Sequence, residues 1–383
     1  MKRLVFGGLA AVERMVGMFS GGNPSLDPAD LAKTRNFVIP LTHPFLGSAV
    51  HETPLIEALR SAVPEANIVA VGSGIATGVY QHHPGLSRLE ETPNPNHNFW
   101  GAVRRFREIV RSFEGEPWCA LFTTWNSRSR VAMAMMLAGN GVRAGYAVAP
   151  ALAHLVLHYD QEQSQIANNL RLMGVLGHPV PEGLEPRIYF TQEDLEHARG
   201  LLADDAERPL AVLITRTSGG QPTAWLDDRF AAVARHLIER HGCRVLLPGT
   251  ARDAAQLERL ADRIGDSAQS LAGKTSIPQL AAVCALSDVA VAVDTGATHV
   301  ARAQQLPLAI IAPGWQQSVE WMPLAKPWAR ILKGPWFLPP PPANYAIEEV
   351  TVTEVIGAVE ELLGLFPPSS ASRRARVERS LAG

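Results

Sequence analysis

Cysteine is scarce: Cys119, Cys243 and Cys284 are the only three in 383 residues. They are widely separated, so the chain lacks both the even count of a disulfide framework and the paired spacing of a zinc site, and reduced cytosol is the natural compartment. Cys243 and Cys284 fall in apolar stretches and read as buried, inert thiols. An excess of one charge is lacking too. The formal net charge is -2, which offers no global attraction to nucleic acid, and no nucleic-acid partner is expected. The twelve histidines are scattered, with His82-His83 in front of a Pro-Gly turn, so no metal-ligand cluster is expected. A Walker loop, a Gly-x-Ser-x-Gly elbow and a kinase signature are all missing.

The N-terminus imitates a signal peptide without completing one. Lys2 and Arg3 precede the apolar run Leu4 to Val12, but Glu13 and Arg14 interrupt it and no small-residue cleavage site follows. The run is too short to span a bilayer comfortably. Val5, Leu9, Val12, Val16 and Phe19 recur at helical spacing, and both a helix lying on a membrane surface and one packed on its own domain stay open. The expected location is the cytoplasm, with contact at the inner face of the membrane left open.

What is present is apolar material for two cores, at 46% hydrophobic and 19% charged. Asn36 to Leu41 reads as a strand, followed by the loop Thr42 to Ser48 and a helix in which Val50, Leu55, Ile56, Leu59 and Val63 repeat near a 3.6 period. Ala66 to Val71 is a second strand. Helices at Phe99 to Phe113 and Ser127 to Leu137 then alternate with strands at Trp118 to Phe122 and Val142 to Ala147. The segment Ala151 to Pro186 is mostly helical in pattern. A second alternation starts at Leu210 and runs through the strands Arg244 to Leu247, Ser267 to Leu271, Val289 to Val293 and Leu308 to Ile311. Strands this apolar, separated by helices, imply parallel sheets covered on both faces.

The expected fold is therefore α/β, two Rossmann-like halves facing each other across a cleft. Its parts are an N-terminal helix and linker (1–35), a first domain with connecting helices (36–186), a second domain (187–350), and a closing helix with a basic tail (351–383). Arg373, Arg374, Arg376 and Arg379 make the tail basic, and it is expected to be loosely ordered.

The sharpest local signal is Val289 to Val293 followed at once by Asp294-Thr295-Gly296-Ala297-Thr298-His299. A buried strand ends, a glycine permits close approach, and a helix begins with unpaired N–H groups that favour a phosphate. Thr295, Thr298 and His299 add side-chain donors. Helix capping by Asp294 or Thr295 is the bland reading, and the two do not exclude each other. A second glycine-bearing turn, Thr215-Arg216-Thr217-Ser218-Gly219, follows the first strand of the same half, where a guanidinium could grip phosphate oxygens. Turns at Gly249 and Lys274 occupy equivalent positions after later strands.

In the first half the loop after the first strand carries His43, Ser48, His51 and Glu52. A base for deprotonating a sugar hydroxyl is sought there, with Glu52 in the first helical turn. Arg128 and Arg130, at a helix start, are candidates for holding an acidic acceptor.

These residues resemble glycosyltransferase family 9, the heptosyltransferases of lipopolysaccharide assembly. The resemblance runs from Leu271-Ala-Gly-Lys-Thr-Ser-Ile-Pro-Gln-Leu280 through Ser287-Asp288 and Asp294 to His299, on to Ala301, Pro307 and Ala312-Pro313-Gly314. In the first half Leu46-Gly47-Ser48, Thr53 to Arg60, Pro64 to Ala66 and Arg143 to Tyr146 carry it. It implies a GT-B fold and inverting, metal-independent transfer of a heptose from an ADP-sugar donor to a lipid-linked or glycan acceptor. It also implies that the Asp294 to His299 segment contacts the donor diphosphate.

Two positions depart from the family pattern. Ser48 stands where an aspartate base is usual, and a serine is no base unaided. The lysine usual before Trp225 is absent, with Arg216 or Lys274 left to compensate. Three readings follow: Glu52 has taken over the base role, the acceptor differs, or the protein binds a nucleotide sugar without transferring it.

Overall fold

The computed structural model describes residues 31, 34–42, 45–123, 129–146, 152–202, 208–217, 223–316, 318–337, 341 and 345–382. Two compact units divide the chain, one up to Glu185 and one from Pro186. No helix among the described residues is long and apolar enough to cross a membrane.

The first unit is a parallel sheet of six strands: β1 (Asn36–Leu41), β2 (Asn67–Gly72), β3 (Arg88–Glu91), β4 (Trp118–Phe122), β5 (Val142–Tyr146) and β6 (Leu155–Leu157). Their spatial order is β3-β2-β1-β4-β5-β6, and β1 pairs with both β2 and β4, Asn36 lying opposite Asn67 on one side and Trp118 on the other. Helices α1 (Leu46–Ala62), α2 (Thr77–Tyr80), α3 (Phe99–Arg111), α4 (Ser129–Ala138) and α5 (Gln165–Val175) connect the strands or follow them. Val38, Val69 and Val71 of the sheet pack with Phe106, Ile109 and Met135 of α3 and α4 in one core. Burying a side chain of that size contributes roughly 1.5–3 kcal/mol, which is why the apolar stripe of α3 faces the sheet.

Helix α1 contains Pro54, which has no N–H to give the carbonyl of Val50 four residues earlier. The Thr53 hydroxyl donates to that carbonyl instead, at 2.9 Å. This local substitution lets the helix run through Thr53-Pro54 with Glu52 in its second turn, a correction to the first-turn position expected from sequence.

The second unit repeats the plan with β7 (Leu210–Ile214), β8 (Arg244–Leu247), β9 (Ala268–Ser270), β10 (Val289–Val293), β11 (Leu308–Ala312) and β12 (Ala329–Lys333), in the order β12-β11-β10-β7-β8-β9, all parallel. Its helices are α6 (Gln192–Leu201), α7 (Asp227–His241), α8 (Ala254–Ile264), α9 (Ile277–Leu286), α10 (Gly296–Ala303), α11 (Ser318–Trp321), α12 (Val352–Leu365) and α13 (Ser370–Ser380). Trp225 is wholly enclosed, its indole N–H donating to the carbonyl of Val350 at 2.9 Å and its ring meeting Phe230 edge-on.

The basic tail is a helix, not the loose end expected. Ser369 caps α13, and Arg373 donates to both carboxylate oxygens of Asp288, a side chain only 2% exposed. Arg376 and Arg379 give N–H groups to Ala285, Ser287 and Ala303, carbonyls at the C-terminal ends of α9 and α10 where cations are favoured. Three of the four arginines thus hold the tail in place, and Arg374 alone of them is exposed.

Candidate functional site

In a doubly wound sheet, ligands bind beyond the carboxyl ends of the strands where the strand order reverses. Each sheet has one such point. In the second unit it lies between β7 and β10, so the loops after these two strands flank it. The loop after β10 is Asp294 to Thr295, and α10 starts at Gly296 with Thr295 as its N-cap residue.

The Thr295 side chain makes no capping hydrogen bond, so the amides of Gly296 and Ala297 stand at a helix start that its own N-cap residue leaves uncapped. The Thr298 hydroxyl donates to the Val293 carbonyl at 2.6 Å, which fastens strand to helix. Asp294 is held from three sides. Gln316 Nε2 donates to its Oδ2 at 2.6 Å, Thr223 Oγ1 donates to its carbonyl at 3.2 Å, and His299 Nε2 lies 3.5 Å from its Oδ1. The His299 ring is buried and tilted against Trp321.

The loop after β7 holds Thr215, Arg216 and Thr217, while Ser218 and Gly219 lie outside the described residues. Thr215 Oγ1 is buried without a hydrogen-bond partner. Arg216 reaches Asp227 in the first turn of α7 at 2.8 Å, so its charge is already shared. Gly249 belongs to packing: a Cβ there would lie 2.5 Å from Leu257 Cδ1. Lys274 turns back on its own loop, Nζ donating to Ser270 at 2.9 Å. It follows the edge strand β9, three strands from β10, or roughly 14 Å at a strand spacing of ~4.8 Å.

The reversal in the first unit lies between β1 and β4. His43 and Arg128 in its loops are outside the described residues. Ser48, His51 and Glu52 are all buried. Glu52 Oε1 accepts from the Thr123 hydroxyl, next after β4, and its Oε2 accepts from the Tyr80 phenol at 2.7 Å. Burial first, and the adjacent carboxylate second, push the Tyr80 phenol well above its ordinary range, so it stays a proton donor. Arg130 sits exposed on α4, donating to the Asn96 carbonyl at 3.1 Å.

A family model described as glycosyltransferase family 9 (heptosyltransferase) matches residues 124–325, more than half of the sequence. The chain belongs to this family. It is a glycosyltransferase, and its two six-stranded parallel sheets are those of the GT-B fold. A family 9 glycosyltransferase from Veillonella parvula superposes at a TM-score of 0.77 with 17% identity, over 89% of this chain and 99% of that one. The E. coli ADP-heptose lipopolysaccharide heptosyltransferase II follows at 0.71 and 17%, over 87% and 99%. The E. coli heptosyltransferase WaaC with ADP gives 0.63 and 18%, over 85% and 97%. No curated protein sequence matches.

Sequence reasoning about this glycosyltransferase missed Thr223 and Gln316, which come from separate loops to hold Asp294. It missed Lys333 at the end of β12, whose ammonium donates to the Gln316 carbonyl and which burial pulls below a lysine's ordinary range. Tyr80 and Thr123 were also missed, since nothing near either residue in sequence hints at Glu52. The expectation of no metal-ligand cluster needs correction as well. His236, His241 and Glu360 bring three ligand atoms within 4.8 Å of one another, although Glu360 lies on a helix more than a hundred residues away from both histidines.

Proposed function

We propose that this glycosyltransferase moves a heptose-like sugar from an ADP-sugar to a lipopolysaccharide core or related cell-envelope glycan, with inversion at the anomeric carbon and no metal at the reacting centre. The observation that carries this reading is the uncapped start of α10 at the reversal of the second sheet. Its amides and macrodipole supply positive potential where the donor diphosphate gains charge as it leaves. Support for the donor class comes from solved proteins of nearly matching length, one named as an ADP-heptose lipopolysaccharide heptosyltransferase and another bound to ADP-2-deoxy-2-fluoro heptose.

In a single displacement the acceptor oxygen attacks the anomeric carbon, the carbon–oxygen bond to the diphosphate breaks, and the diphosphate keeps the electron pair. The acceptor proton needs a base. Glu52 is that base in this reading. Both its oxygens already take hydroxyl donors and Thr123 is buried, so in this reading the proton is relayed to Glu52 through the Thr123 hydroxyl, which gives up its own proton as it takes one from the acceptor side.

Calorimetric titration against ADP-, UDP- and GDP-sugars tests the donor assignment, and mass spectrometry of a lipopolysaccharide-core acceptor incubated with ADP-heptose tests the transfer. Preference for the ADP-sugar and an acceptor heavier by one heptose are expected. Binding with no transferred sugar on any glycan acceptor would end the transferase reading proposed here.

A further inference from the structure

On the far side of the second unit, two imidazoles and a carboxylate converge. His236 and His241 belong to the last two turns of α7, and Glu360 to α12, which packs along it. Each Nε2 lies 2.7 Å from the same oxygen, Glu360 Oε1, and the three ligand atoms lie within 4.8 Å of one another. At 3.6 residues per turn, residues five apart point about 140° away from each other. The two rings meet only because Glu360 projects between them from the neighbouring helix. Gly242, at φ 66°, ends α7 immediately after His241 and so fixes where that ring begins.

We propose that His236, His241 and Glu360 form a site for one divalent cation of the zinc, cobalt and nickel class, which clamps the end of α7 to α12. The donor set decides the class. Imidazole nitrogens suit zinc, nickel, copper and cobalt, whereas magnesium and calcium take oxygen. Ligands about 2.0–2.2 Å from zinc at tetrahedral angles are roughly 3.3 Å apart, so each N···O separation must widen from 2.7 Å by about 0.6 Å. The side chains, 24% to 39% exposed, have room for that movement and leave the remaining coordination positions to water. Each neutral ring moves its proton from Nε2 to Nδ1 and offers the Nε2 lone pair.

The site is structural. Helix α7 runs antiparallel to the strands it connects, so its C-terminal end lies at the edge of the sheet opposite the Asp294 turn, about 20 Å away along a 15-residue helix. A cation there leaves the glycosyl-transfer chemistry alone and raises the stability of the second unit, because only the folded chain presents all three ligands.

The test uses the untagged full chain, stripped with a chelator and titrated with zinc chloride. One zinc per chain and a melting temperature several degrees higher in excess zinc are expected, with cobalt(II) giving a visible absorption band and magnesium giving no shift. His236→Asn, His241→Asn and Glu360→Gln should each weaken zinc at least tenfold while melting like the parent without metal, which shows that they fold. Sugar transfer should be unchanged in all three. Unchanged zinc affinity in the His236→Asn/His241→Asn double variant, or no saturable binding at one per chain, would overturn the site.

Discussion

At the reversal point of the first sheet a carboxylate is buried, and both its oxygens are taken by hydroxyls from other elements. At the reversal point of the second sheet two amides stand at a helix start that its own N-cap side chain leaves uncapped, beside a carboxylate held by neighbouring loops. The topology is the same and the polar groups are opposite in kind. An open amide pair suits an anion that must arrive and leave. A carboxylate held in advance suits a group that takes a proton without moving.

The largest expected effect is on the first of these. Glu52→Gln keeps the shape and an acceptor for one hydroxyl but removes the base, and turnover should fall roughly a hundred- to ten-thousand-fold, as for other general bases, with donor affinity near the parent's. Thr123→Val should lower turnover in the same direction by interrupting the proton path. Single-turnover kinetics check both, and a Glu52→Gln enzyme turning over at the parental rate would remove Glu52 from the chemistry.

Next comes Ala297→Glu, at the half-exposed start of α10. An acidic side chain at a helix start stabilises by about 0.3–1 kcal/mol, yet faces the diphosphate with like charge worth ~1–4 kcal/mol. Melting temperature should hold or rise while donor affinity drops tenfold or more. A smaller effect follows from Thr223→Val, which deletes the hydrogen bond to the Asp294 carbonyl and should cost about 1 kcal/mol in a denaturant titration.

A pH effect is confined to the first unit. His154 Nδ1 accepts from the Arg143 amide, and burial, then the Arg143 guanidinium, lower the His154 pKa to about 4 from an ordinary 6.5. A depressed folded value means that this contribution to stability is intact above pH 6.5. It is lost progressively as the pH falls toward 4, because the unfolded chain takes the proton first. Melting followed between pH 7 and 4 should show that fall reduced in His154→Gln.

How much of this was legible depended on where the information sits. The strands β7, β8, β10 and β11 announce themselves as apolar runs because they are buried on both faces. Strands β3 (Arg-Leu-Glu-Glu), β6 and β12 went unseen because they lie at sheet edges, short and half-exposed, where polar residues are tolerated. The tail failed for a related reason: its arginines look like a solvated end, and only the fold supplies Asp288 and the carbonyls they hold.

The turn proposed to hold the donor, Asp294 to His299, is contiguous, so a local pattern can single it out. The surroundings of Glu52 are assembled from α1, α2 and the residue that follows β4, and no local pattern reports a contact between Glu52, Tyr80 and Thr123. Thr191 and Asp194, by contrast, spell out a capping box at the start of α6 that a reading of the sequence could have used.

The central claim is that the two reversal points divide the labour, donor at α10 and base at Glu52. Calorimetric titration of ADP-heptose into the Ala297→Glu and Glu52→Gln variants side by side tests it most directly. The account predicts a loss of affinity of tenfold or more in Ala297→Glu and parental affinity in Glu52→Gln. Parental affinity in Ala297→Glu, or an equal loss in both, would contradict it.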